Sequence, residues 1–63
     1  MKSISMKAAR VANDLTQGQL AEKLGVSTQT IKNYELKKHK VPYEMAIKIA
    51  ETLGFELDDI NFF

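Results

Sequence analysis

In the stretch "STQTIKNYE", residues 27–35, amide, ammonium and hydroxyl side chains recur at intervals that would gather them on one face of a helix. At about 100° per residue, Ser27, Ile31, Tyr34 and Glu35 fall on one side. Gln29, Lys32, Asn33 and Leu36 fall on the other, with Thr28 and Thr30 at the flanks. Such a face can read the edges of base pairs. Gln and Asn pair bidentately with adenine N6 and N7, Lys donates to guanine O6 and N7, and a Thr methyl meets a thymine methyl. A face meant only for solvation is usually richer in Glu–Lys pairs, whereas Lys32 is the one charge here.

Such residues must be held by neighbouring elements. Thr16 is followed three positions later by Gln19, the spacing of a capping box, and opens a helix whose buried stripe is Leu20, Ala21 and Leu24. Gly25 suits the left-handed residue after that helix, Val26 can enter the core, and Ser27 is placed to cap the helix above. Two helices of about two turns are too short to stand alone in water. Their tight corner therefore has to be the purpose, and a helix, a Gly-containing turn and a helix are the parts of a helix-turn-helix. Ala21 supports this, because helices crossing so soon after a corner need a small residue at the contact. Helical spacing also predicts a first helix over about residues 4 to 13, broken by Asn13 and Asp14. A fourth covers Tyr43 to Leu53 and ends at Gly54, and a short turn at "LDDI" precedes "NFF". No sustained strand alternation occurs. The expectation is one all-α domain over residues 1–63, a compact bundle of four to five short helices.

Charge is divided along the chain. Residues 1–48 hold nine basic and four acidic side chains, a balance of +5, while residues 49–63 hold four acidic ones and no basic partner. A basic side and an acidic side are implied. With no cysteine and one histidine, neither disulfides nor a metal site is expected, so packing or self-association must stabilise so small a core. The start, "MKSISMKAARVAND", lacks the apolar run of a signal peptide, and no segment has the length of a membrane span, so a soluble, cytoplasmic protein is expected. No carboxylate pair, nucleophile–base set or phosphate-cradling glycine loop suggests an enzyme, and neither a cofactor nor a small-molecule ligand is indicated.

The segment "LTQGQLAEKLGVSTQTIKNYE" resembles the phage repressor and Cro family of helix-turn-helix DNA-binding domains, the Xre-type regulators. Thr16, Gln17, Leu20, Ala21, Leu24 to Ser27, Ile31 and Glu35 carry the likeness, and "IAETLGFELDDI" extends it to the last helices. The resemblance implies a lambda-repressor-like fold in a bacterial or phage-encoded protein. Thr28, Gln29, Lys32 and Asn33 would lie at base edges in the major groove of double-stranded DNA. Gln17 would bind a backbone phosphate at a helix N-terminus, which offers free amides. Arg10 and Glu35 would pair, tying the first helix to the recognition helix. Thr30, Lys37, Lys38 and Lys40 are the further phosphate candidates, and His39 in the same loop is read as exposed and unspecific. The chain departs from the family where Leu36 and Lys37 replace the usual Gly two residues after the Glu, and where Pro42 sits one position late.

These features imply a sequence-specific transcriptional regulator, a repressor on a palindromic operator. An antitoxin-type DNA-binding partner of a toxin and a protein-interaction adapter are the alternatives. No signal-responsive segment is read within the 63 residues, so control is expected from concentration, a partner or a region outside this chain. "DDINFF" masses apolar groups at one point: so small a core can cover Ile60 and one ring and leaves the other wet. This predicts a homodimer interface including Ile60, Phe62 and Phe63, the alternative being a frayed terminus with one ring packed within the chain.

Overall fold

The computed structural model describes residues 3–62. Its helices begin where side chains satisfy their first amides. Ser5 accepts from the Ala8 amide at 3.0 Å to open α1, Met6–Ala12. Thr16 and Gln19 form a reciprocal capping box on α2, Gln17–Leu24. The Ser27 hydroxyl accepts from the Thr30 amide at 3.1 Å to open α3, Thr28–Glu35. Pro42 precedes α4, Tyr43–Leu53, without a side-chain cap. A single 3-10 turn follows at Leu57–Asp59, stapled by Glu56 and Asp59.

All four α-helices end in the same way. A residue at or just after the C-cap is left-handed, and its amide and the next one fold back on the last turn, the Schellman arrangement. The left-handed positions are Asp14 (φ 56°), Gly25 (φ 72°), Lys37 (φ 59°) and Gly54 (φ 77°). Glycine takes this conformation at little cost and Asp tolerates it, whereas the Cβ of a lysine is disfavoured there. At the end of α3, Lys37 N–H donates to Tyr34 O at 3.1 Å and Lys38 N–H to Asn33 O at 3.0 Å. The loop after α3 thus has the shape glycine would favour, imposed on a lysine. Lys37→Gly should therefore raise stability by about 0.5–1 kcal/mol, read from urea denaturation. An unchanged or lowered midpoint would show that Lys37 is not strained.

Leu20, Ile31 and Ile49, one each from α2, α3 and α4, are the largest fully buried side chains. Ala9 joins them from α1, while Ala21, Ala46 and Ala50 keep the helices close. The result is an all-α helix-turn-helix bundle with one small addition. The expected first helix starts two residues late, because Ile4–Ser5 forms β1 and pairs in parallel with β2, Ile60–Asn61. A two-residue bridge has no periodicity to read, and it exists only because the fold brings the two chain ends together.

Candidate nucleic-acid interface

On α3, Thr28, Gln29 and Lys32 are exposed and Asn33 is half-buried. Gln29 Nε2 donates to Asn33 Oδ1 at 3.1 Å, an i to i+4 bond along the face. Gln29 keeps its carbonyl oxygen and one N–H for a base, and Asn33 keeps two N–H groups. The two amides thus share one order before any ligand arrives. Thr30 is half-buried, its hydroxyl 2.9 Å from that of Ser27, so it belongs to the helix cap as well as to the flank. Leu36, at the end of the same face, is 54% exposed.

The other side of α3 is locked. Ile31 is fully buried, and Glu35 receives Arg10 Nε at 2.6 Å on one carboxylate oxygen and Arg10 Nη2 at 3.2 Å on the other. The Arg10 and Glu35 side chains are 10% and 4% exposed. Arg10 Nη1 also donates to Leu15 O at 2.7 Å, which fixes the turn between α1 and α2. Gln17 Nε2 donates to Glu35 Oε1 at 3.0 Å. The Gln17 side chain, expected to serve a phosphate, is therefore engaged inside the domain through one N–H. Its carbonyl oxygen and second N–H remain, together with the α2 amides. The bond to Glu35 went unread in the sequence, because Gln17 and Glu35 lie 18 positions apart. Asn13, read only as a helix breaker, joins two helix ends by donating to Ala9 O and Leu53 O, each at 3.0 Å.

Beyond α3, Lys37, Lys38, His39 and Lys40 are exposed. Lys37, His39 and Lys40 line a hollow of about 190 Å3 against the Phe62 ring, and Lys38 lies outside it. His39 thus stands with two of the lysines rather than alone. Two other cations serve the fold: Arg10 meets Glu35, and Lys48 Nζ reaches the Leu24 carbonyl, at the C-terminus of α2, at 3.4 Å. The +5 balance of residues 1–48 therefore overstates the charge available to a ligand.

Ile60 is 4% and Phe62 6% exposed, both covered by the chain's own core. Ile60 and one ring are thus the part of the C-terminal group that the chain's own core covers. The bridge to Ile4 draws Ile60 inward, and Phe62 follows it two residues later on the same side. Phe63 lies outside the described residues.

Among the described residues no helix is long and apolar enough to cross a membrane, and no group of His, Cys, Asp and Glu is arranged to hold a metal ion. A helix-turn-helix family model matches residues 6–60. An uncharacterized HTH-type transcriptional regulator of Methanocaldococcus jannaschii is 44% identical over 55 residues, covering 87% of this chain and 83% of that protein. No solved structure matches significantly. The chain belongs to the Xre-type, Cro/cI-like helix-turn-helix family of DNA-binding transcriptional regulators.

Proposed function

We propose that this chain reads a specific double-stranded DNA sequence through the major groove and represses transcription from that site. The carrying observation is the α3 surface. Thr28, Gln29, Lys32 and Asn33 form an outward face without a carboxylate, while Glu35 is turned inward and neutralised by Arg10. In this reading Gln29 and Asn33 read bases as a pair, and Lys32 and Thr28 extend the contact to neighbouring pairs. Gln17, Thr30, Lys37, Lys38 and Lys40 hold phosphates and set the register. Two copies on a palindrome place their recognition helices about 34 Å apart, which favours a cytoplasmic homodimer on DNA. The pairing surface in this reading is the C-terminal end around Ile60, Phe62 and Phe63, where Ile60 and Phe62 are largely covered by their own chain.

Selection of bound fragments from genomic DNA supplies the site, and titration of purified protein then tests the reading. Gln29→Ala should lose roughly 1–3 kcal/mol on the selected duplex and much less on random DNA. Equal losses on both would remove Gln29 from base reading. An asymmetric selected site bound by a single chain would overturn the paired arrangement.

A further inference from the structure

Leu36 ends the face that Gln29, Lys32 and Asn33 begin, and the base contacts proposed above leave it without a task. The four side chains stand at positions i, i+3, i+4 and i+7 of one helical stripe. Leu36 N–H donates to Lys32 O at 2.9 Å and its backbone stays helical, so its side chain continues that stripe. The next two amides, of Lys37 and Lys38, close back on Tyr34 and Asn33 and hold the turn that follows. Leu36 is nevertheless 54% exposed. A single exposed leucine is ordinary on a protein surface. This one is set apart by its company, because Gln29, Lys32 and Asn33 are all polar and none is a carboxylate. The other exposed large apolar side chains, Val11 and Tyr43, lie on α1 and α4.

We propose that Leu36 reads the C5-methyl group of a thymine and so selects an A·T pair at one end of the recognition face. The inference rests on the DNA-binding reading above and adds to it an apolar base contact. That methyl is the one apolar substituent among the donors and acceptors that base pairs present in the major groove. A leucine laid on it removes apolar surface from water on both partners. Laid on the acceptors of guanine or the amino group of cytosine, it strips their water and returns no hydrogen bond. The same side chain therefore selects against a G·C pair. From Asn33 to Leu36 the helix advances about 4.5 Å, little more than one base-pair step of about 3.4 Å. The thymine thus lies within about two base pairs of the base that Asn33 meets. Thr28, which also carries a methyl, stands at the other end of α3, about 12 Å away along the axis, so the two contacts fall on different pairs.

The test is a methyl scan of the selected duplex, read by fluorescence anisotropy at fixed salt and pH. Each thymine is replaced in turn by uracil, which removes the C5-methyl and leaves the hydrogen-bonding edge intact. One replacement should weaken wild-type binding about three- to fourfold, the effect of one buried methyl. Leu36→Ala should weaken binding to the unmodified duplex by at least as much and lose nothing further at that position. Thr28→Ser should leave the loss at that position in full. Because Leu36 is more than half exposed, Leu36→Ala should keep the wild-type thermal midpoint. The proposal is overturned if no thymine methyl matters to the wild type, or if the loss persists undiminished in Leu36→Ala, and the DNA-binding reading stands in either case. If no duplex is selected, that reading fails and the methyl contact falls with it.

Discussion

Arg10→Ala is expected to cost about 3–5 kcal/mol, enough to leave the domain largely unfolded at room temperature. The reason is what remains behind. Glu35, its side chain 4% exposed, would keep a carboxylate with the Gln17 amide as its one remaining side-chain donor among the described residues. Leu15 O would also lose its guanidinium donor, loosening the turn into α2. Removing one member of a buried pair is costly because the other stays dehydrated and uncompensated, whereas replacing both by apolar groups of similar volume is often neutral. Arg10→Met with Glu35→Leu should therefore recover most of the loss. Urea denaturation followed by circular dichroism reads both variants. A loss below about 1 kcal/mol for Arg10→Ala would mean that the pair behaves as a solvent-screened surface pair.

Phe62→Ala should be comparably severe, at about 3–5 kcal/mol, the usual range for emptying a buried aromatic site. From the sequence alone, this ring and its neighbour were natural candidates for contact between chains. Phe62 is buried within its own chain just after the bridge that joins Ile60 and Asn61 to Ile4 and Ser5, and it forms one wall of the basic hollow. The expected result is a large fall in the thermal midpoint. Sedimentation of whatever folded material persists should show no specific shift to a lighter species. A variant with the wild-type midpoint that sediments lighter would falsify the intrachain placement and restore the interface expectation.

Features governed by neighbours in the chain were legible. The Thr16–Gln19 box, the Ser27 cap, the left-handed Gly25 and Gly54 and the extent of α4 all follow from interactions within five residues. Helical periodicity also divided α3 correctly into a buried side with Ile31 and Glu35 and an exposed side with Gln29 and Lys32. The positions misread are those whose environment arrives from far along the chain. Ile4 was assigned to a helix because its own neighbours are helical, yet Ile60 captures it as a strand. Lys37 offers no glycine to signal its left-handed backbone. The Schellman bonds at the end of α3 and the path required to reach the buried Val41 impose that conformation.

The amino-acid sequence by itself therefore determined the helices, their caps, the corner between α2 and α3, and the polar chemistry that α3 presents. Each of these is set by hydrogen bonds and hydrophobic spacing within one or two helical turns. The tertiary structure alone decided that Gln17 shares Glu35 with Arg10, that His39 stands with Lys37 and Lys40 beside Phe62, and that Phe62 faces the core. Each of these depends on which distant segments meet. Local composition is the same whether a terminal phenylalanine packs inward or against a second chain, and only the closure of the fold around Ile4 and Ile60 distinguishes the two.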